Sequence, residues 1–403
     1  MRVLLIHNFY GSAAPSGENQ AFEAERVLLV SRGHEVATFT RHSDEIRSGG
    51  VWGIIKAALA TPWNPWTARL VRRAVEHFRP DVVHVHNTFP LISPAIFYAI
   101  GPRAARVLTL HNYRVLCAAG LFLREGKVCT KCADGRTVVP ALVHGCYRAS
   151  RLATAPVATS VALHQALGTW RHQVEAFIAL SGFQRDRLVT AGLPARKVYL
   201  KPNFYPGNPA VIPWSGRGAH VVFVGRLSAE KGVVSLLRAW AAWGANAPEL
   251  RLVGGGEVRA ELERMGSGLP VRFLGQKSPT LAQAEIARAR LLLLPSECFE
   301  GSPMVALEAF AFGTPVGVSN LGPLPAIVAA GRNGIVFEAG NPESLLREVS
   351  AAWQTPELLE RLGQGARAEF ETKYTEDANY SRVMQVYEAA IRERRRSARG
   401  SMA

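Results

Sequence analysis

Short runs dominated by apolar residues alternate with segments of helical period along the whole chain, in two series separated by one stretch that cannot be regular. That stretch is residues 201–213, where Pro202, Pro206, Gly207, Pro209 and Pro213 remove backbone donors and fix φ. Before it, runs stand at residues 3–6, 36–39, 82–85 and 107–110; after it, at 220–224, 250–253, 271–274 and 291–294. Four or five such residues without strict alternation suit strands covered on both faces, and helices between them require parallel pairing. The pattern predicts an α/β chain of two Rossmann-like, doubly wound domains.

A length of 403 residues gives each half enough chain for its own core. The expected division is 1–205, 206–375, and a final helix with a basic tail at 376–403. Val383, Val386, Tyr387 and Ala390 share one face of that helix, which is expected to cross back to the first domain. No repeat of the solenoid type is visible.

The net charge of +15 is uneven: residues 1–205 hold 25 Lys and Arg against 12 Asp and Glu. A basic half suits nucleic acid, a phosphate-bearing substrate or an anionic bilayer, or merely solvated arginine-rich faces. Nucleic acid is the weakest of these, because residues 1–205 show no helix-turn-helix, zinc-finger array or RNP-like aromatic motif. The first residues enter an apolar strand without the pattern of a secretory signal, so a cytoplasmic location is expected. The longest uncharged stretches, 152–170 and 309–331, are broken by polar residues or prolines and do not read as membrane spans.

Two motifs carry chemistry. At 222–232 a strand is followed by Gly225, Arg226, Lys231 and Gly232. Glycine lets a phosphate approach the backbone, and two cations neutralise it, so this loop reads as a diphosphate cradle or, without ligand, as an ordinary turn. At 296–315, Glu300 lies just ahead of a helix with Ser302 as its expected N-cap and Pro303 as its first residue, and Glu308 lies within it. Carboxylates there can accept from sugar hydroxyls, while the N–H groups of Met304 and Val305 meet phosphate.

These motifs resemble the donor domain of retaining glycosyltransferases of family 4 (glycosyltransferase group 1 type), which have the two-domain GT-B fold. Glu300 and Glu308 match that family's Glu, seven residues, Glu spacing, and Arg226 and Lys231 its diphosphate-binding cations. Gly17 stands where the family has a glycine-rich loop, with one glycine where two are common. His111 falls at the family's active-site histidine, and residues 180–183 and 201–203 match the end of its first domain. The resemblance implies GT-B domains facing across a cleft, with a nucleotide-diphosphate sugar donor on the second domain. It implies an EC 2.4 hexosyltransferase building surface polysaccharide or glycolipid on a saccharide or lipid-linked acceptor.

The implied chemistry is front-face transfer, in which the leaving diphosphate takes the acceptor proton. Arg226 and Lys231 would stabilise the departing phosphate without a metal cofactor, Glu300 would hold the donor sugar, and Glu308 the ribose. A nucleotide-sugar 2-epimerase of the same fold remains the alternative; it would release free sugar without an acceptor. His111 follows a parallel strand, as does His86, the second candidate on the acceptor side; backbone bonding is the plain alternative for these and for His84. Gly254–Gly256 lacks the third glycine of a dinucleotide fingerprint, which argues against a redox cofactor.

Cys117, Cys129, Cys132 and Cys146 are spaced C-x11-C-x2-C-x13-C, in what reads as an insertion at 117–146. They could close a tetrahedral structural zinc site or remain reduced thiols; Cys298 reads as filler beside Glu300. Between residues 51 and 78, Trp63, Trp66, Arg69, Arg72 and Arg73 mix with apolar residues, as in an interfacial segment on the inner face of the cytoplasmic membrane; an ordinary amphipathic helix is the alternative.

Overall fold

The computed structural model describes residues 1–11 and 16–400. The chain forms two compact units: Met1–Phe122, Cys129–Pro202 and Asn379–Ala403 in the first, Leu123–Val128 and Asn203–Ala378 in the second. The regular structure stops at Leu200 and resumes with a short turn at Trp214–Gly216, as the prolines between them dictate.

The first unit holds a six-stranded parallel sheet of β1 (Arg2–Phe9), β2 (Glu35–His42), β3 (Val82–Asn87), β4 (Ala105–Leu110), β7 (Ala176–Ala179) and β8 (Val198–Leu200), ordered β2-β1-β3-β4-β7-β8. A two-stranded hairpin, β5 (Leu123–Arg124) and β6 (Lys127–Val128), precedes β7 in sequence. β3 and β4 are buried at every residue, so His84, His86, Asn87, Arg106 and Thr109 within them must find polar partners inside the protein. Helix Gly17–Ser31 follows β1, and the Ser16 side chain at its start accepts from the Glu18 N–H; residues 12–15, with Pro15, lie outside the described residues.

Val383, Val386, Tyr387 and Ala390 of the last helix, Glu376–Gly400, join Val3, Leu5, Val107 and Ile178 in one core. The apolar face foreseen for that helix is therefore a buried face of the first unit's core.

The second unit's sheet contains β9 (His220–Val224), β10 (Glu249–Val253), β11 (Val271–Gly275), β12 (Leu291–Leu294), β13 (Val316–Ser319) and β14 (Gly334–Phe337), all parallel. Its order is β11-β10-β9-β12-β13-β14, so the direction of winding reverses between β9 and β12. In the first sheet the reversal falls between β1 and β3. Crevices outside the carboxyl ends of the strands at such reversals are where open α/β sheets bind ligands.

The stretch 51–78 is two helices, Gly50–Ala60 and Pro65–Phe78, the second capped by Asn64, whose side chain accepts from Thr67 N–H. Among the described residues, no helix is long and apolar enough to cross a membrane.

Candidate active site

In the second unit the loops after β9 and β12 converge. Gly225 N–H donates to Val253 O (3.0 Å) and Leu227 N–H to Gly255 O (2.9 Å), which clamps the loop after β9 against the loop after β10. Gly254 and Gly256 make this possible, since a Cβ on either would stand 1.9 Å from Gly225 O or 2.1 Å from Leu227 O. Their role is backbone packing under the cradle.

A 3-10 turn, Ala229–Lys231, then leads through Gly232 at φ +70° into helix Val233–Trp243. A Cβ at Gly232 would lie 1.8 Å from Pro295 O, so glycine alone lets the turn sit against the loop after β12. Glu297 N–H donates to Glu230 O (2.9 Å), and Ser235 Oγ donates to Glu297 Oε1 (2.6 Å), binding the same two segments.

Across this seam Lys231 Nζ donates to Glu300 Oε1 at 2.7 Å, and Ser296 Oγ donates to the same oxygen at 2.6 Å. Burial pushes the Glu300 carboxyl up, but the Lys231 charge and these two hydrogen bonds outweigh it and hold the group below the usual carboxylate range. Lys231 is raised in turn, burial being overcome by Glu300. Both groups are ionised at neutral pH. Arg226 pairs with Glu230 at 2.7 Å and keeps its side chain 55% exposed.

The helix after Glu300 is Met304–Ala311, one residue shorter at its start than the sequence reading. Pro303 occupies the cap position with no side-chain cap, and Ser302, expected there, precedes it; its carbonyl accepts from Asn203 Nδ2 at 3.2 Å. Met304 and Val305 open the helix, so their N–H groups have no carbonyl one turn back within it. Glu308 is buried and accepts from Gln283 Nε2 at 3.2 Å, and burial pushes its carboxyl up. Cys298 is buried, its thiol pushed up to about 12 by burial and then by Glu300.

In the first unit a pocket opens after β3 and β4, lined by His86, Asn87, His111, Asn112 and Arg114 among others. His86 Nδ1 and His111 Nε2 are 3.0 Å apart, so one donates and the other accepts. Burial lowers both, His111 to about 3, which keeps the pair neutral across the physiological range. Glu18, one residue past Gly17, lies 3.5 Å from Asn112 Nδ2; burial raises its carboxyl to about 8 against the opposing pull of Arg114. Gly17 itself opens helix Gly17–Ser31 and is exposed.

Beneath the pocket stands an ionic cluster that the sequence reading missed. Lys201 Nζ donates to Glu25 Oε2 at 2.7 Å, with both side chains buried. His84 Nδ1 lies 2.8 Å from the Tyr387 hydroxyl and 3.0 Å from Glu25 Oε1, and its Nε2 is 2.7 Å from Thr109 Oγ1. Side chains, not backbone, satisfy His84, contrary to the plain expectation. A carboxylate among Ala21, Phe22, Leu28 and Leu29 on one buried helix face was the available signal that a buried cation must face it.

Among the described residues, Glu25, His84 and His86 bring three metal-capable atoms within 4.8 Å of one another. The Lys201 ammonium already supplies the cation there. The four clustered cysteines lie elsewhere in the first unit; burial pushes the Cys132 thiol up to about 11, and Cys117, Cys146 and Cys129 all act on it electrostatically.

Two six-stranded parallel sheets, each with a winding reversal, define the GT-B fold. A family model described as "Glycosyltransferase Family 4" matches residues 27–206, and one described as "Glycosyl transferases group 1" matches residues 208–369. The chain belongs to the group 1 glycosyltransferases of family 4.

It is 33% identical over 229 residues to a D-inositol 3-phosphate glycosyltransferase of Streptomyces griseus, covering 53% of this chain and 46% of that one. It is 32% identical over 178 residues to the sulfoquinovosyl transferase SQD2 of Arabidopsis thaliana, covering 42% and 34%. The aligned part is thus less than half the length of these curated relatives. Among solved structures, Anabaena Alr3699/HepE in complex with UDP and glucose superposes with TM-score 0.65 at 17% identity, over 96% of this chain and all of that one. A sucrose-phosphate synthase of Thermosynechococcus elongatus gives 0.68 at 18% identity, over 96% and 98%. At these identities the likeness concerns the fold.

Proposed function

We propose that the protein transfers a hexosyl group, with retention, from a nucleotide-diphosphate sugar to a hydroxyl of a saccharide or lipid-linked acceptor. The observation that carries this is the Lys231–Glu300 pair, set at the winding reversal of the second sheet over a glycine-lined loop. A diphosphate on that loop takes one of the three Lys231 N–H donors while Glu300 keeps another, and Arg226 turns its exposed guanidinium to the second phosphate. Glu300 has a second oxygen for donor-sugar hydroxyls, and Glu308 serves the ribose.

In the transfer, the bond from the anomeric carbon to the diphosphate oxygen breaks and a bond to the acceptor oxygen forms on the same face. The acceptor proton passes to the departing phosphate oxygen. Arg226 and Lys231 stabilise the charge that develops on the leaving group, the electrostatic role a divalent metal fills elsewhere. The neutral His86–His111 pair orients the acceptor by hydrogen bonding. HepE was solved with UDP and with UDP-glucose, which makes uridine the first base to try.

A thermal-shift panel of nucleoside diphosphates with EDTA present tests the donor assignment. At about 100 times its dissociation constant the correct nucleotide adds about 2.7 kcal/mol of stability. A panel without any shift overturns it. Free sugar released without an acceptor identifies the epimerase instead.

The acceptor is read from the first unit's surface. Helix Gly50–Ala60 and the start of the next expose Val51 (72%), Trp52 (72%), Leu59 (75%) and Trp66 (71%), with Lys56, Arg69, Arg72 and Arg73 also exposed nearby in sequence. Apolar and tryptophan side chains alongside cations suit the headgroup layer of an anionic leaflet. This favours a lipid-linked acceptor met at the inner face of the cytoplasmic membrane.

A further inference from the structure

The hydrogen bond between His86 and His111 has a direction, and the residues behind His86 set it. His86 Nδ1 and His111 Nε2 are 3.0 Å apart, while the ring centroids are 5.2 Å apart and the planes 23° from parallel. The rings therefore lie nearly edge to edge, with the N–H of one directed at the lone pair of the other. With both rings neutral, two arrangements satisfy that contact. Either His86 carries its proton on Nδ1 and donates, or it carries the proton on Nε2 and accepts. In the first case His111 keeps an N–H on Nδ1; in the second it keeps a lone pair there.

The far side of His86 decides between them. Its Nε2 is buried, makes no hydrogen bond among the described residues, and stands 3.7 Å from Glu25 Oε1. The same oxygen is 3.0 Å from His84 Nδ1, so two ring nitrogens face one carboxylate oxygen. A lone pair on His86 Nε2 would be repelled by that charge in a site where solvent screens little, whereas an N–H there is attracted to it. The carboxylate stays charged because Lys201 Nζ donates to its other oxygen at 2.7 Å. The same ammonium keeps His86 from becoming a cation: one buried carboxylate balances one buried ammonium, and a second positive charge would go uncompensated. Phe22, perpendicular to the His86 ring with centroids 5.3 Å apart, packs against it from the helix that carries Glu25.

We infer that Glu25 is a positioning residue for the pocket after β3 and β4: it holds His86 as the Nε2–H tautomer, His86 accepts from His111 Nε2–H, and His111 is left with an unprotonated Nδ1. The His111 ring that lines the pocket is then a hydrogen-bond acceptor. It suits a hydroxyl, which brings a proton, and disfavours a phosphate or carboxylate oxygen, which brings only lone pairs. The inference rests on the transfer reading above for the hydroxyl to be the substrate's, and it sharpens that reading: a sugar hydroxyl, not an anionic group of the acceptor, meets His111. Glu25 itself acts through the His86 ring.

Nitrogen-15 NMR of the histidine-labelled full-length protein reads the tautomers without any substrate. At pH 7 the signals of His86 and His111, assigned by their loss in His86→Gln and His111→Gln, should each show Nε2 protonated and Nδ1 bare. His111 protonated on Nδ1, or either ring as an imidazolium, overturns the inference. Glu25→Gln combined with Lys201→Met removes the charge behind His86 without leaving a buried ammonium unpaired. In that variant the tautomers should become mixed and kcat for transfer should fall about 10-fold or more, with donor KM unchanged. A folded double variant that keeps the wild-type tautomers and rate shows a merely structural Glu25 and also overturns the inference. If the double variant does not fold, the wild-type spectrum alone decides. Nucleotide binding in the panel above does not involve His111, so the donor reading and this one fail separately.

Discussion

Lys231 Nζ and Glu300 Oε1 meet at 2.7 Å although 69 positions separate them, and their contact is where the loops after β9 and β12 become one surface. Lys231→Ala and Glu300→Ala should each lower transfer about 100-fold, near 3 kcal/mol of transition-state stabilisation, with the melting temperature little changed. The double variant should lose less than the product of the single losses, because each single change already breaks the shared contact. Steady-state kinetics of the three variants checks this; near-normal turnover in both single variants removes the donor site from this loop.

Gly232→Ala tests the seam itself. Its Cβ would collide with Pro295 O and would also force alanine into positive φ. The expected result is a rise in donor KM of about 10-fold or more, corresponding to about 1–3 kcal/mol of strain released by moving the loop that carries Ser296 and Glu300. Gly207→Ala, where a Cβ meets nothing within 4 Å, is the control for positive φ alone.

How far the sequence reached is clearest here. That Lys231 and Glu300 stand on loops at strand ends could be read locally, from a strand run followed by glycine or helix-capping residues, although their contact could not. What Gly254 and Gly256 do was not legible: they face a carbonyl from another loop, and nothing in their own neighbourhood names that partner. The strands at 176–179, 198–200, 316–319 and 334–337 were passed over because they are short and Ala or Gly residues such as Ala176, Ala179, Gly317 and Gly334 dilute their apolar runs. Glu25 could be seen as an intruder on an apolar face, but Lys201 as its partner comes from 176 residues away.

Glu25→Ala should destabilise the first unit by about 3–5 kcal/mol, since it leaves Lys201 as a buried, unpaired cation. Glu25→Leu combined with Lys201→Met should recover much of that loss. The carboxyl is held low by Lys201, His84 and His86 in spite of burial, so the pair's contribution is complete above the unfolded carboxylate range near 4.5. It is lost as pH falls from there through the folded value. Denaturant titrations at pH 7 and pH 4 check this: the wild type should lose more stability than the Leu/Met variant on acidification.

Glu18 behaves oppositely. Its carboxyl, raised to about 8 by burial, keeps its proton where the unfolded chain has lost it. That stability is full below about pH 4.5 and disappears as pH rises through about 8. Between pH 5 and pH 8 the wild type should therefore lose melting temperature relative to Glu18→Gln, whose side chain does not titrate. Parallel pH curves for the two proteins would remove the carboxyl from that buried position.

The membrane reading is checked by co-sedimentation with vesicles. Binding should be stronger to anionic than to neutral bilayers and should fall at least 10-fold when Trp63, Arg69, Arg72 and Arg73 are replaced together, at about 1 kcal/mol for each basic residue. Trp52→Ser with Leu59→Ser should weaken it further without affecting nucleotide binding. Equal, weak binding to both bilayers, unchanged in the variants, would favour a soluble saccharide acceptor.

The place of the last helix in the first unit's core also constrains how the protein is made. Val383, Val386, Tyr387 and Ala390 complete an apolar surface whose other walls include Val3, Leu5 and Ile178. At about 5–20 residues per second, a ribosome takes roughly 10–40 s to add the residues between Pro202 and Tyr387. Throughout that interval the nascent first sheet has its strands but not its final apolar wall, and His84 waits for the Tyr387 hydroxyl. The second unit, continuous from Asn203 to Ala378 apart from the small hairpin made earlier, can finish first. Synthesis order and folding order are thereby inverted: the half that emerges first from the ribosome is the half that closes last.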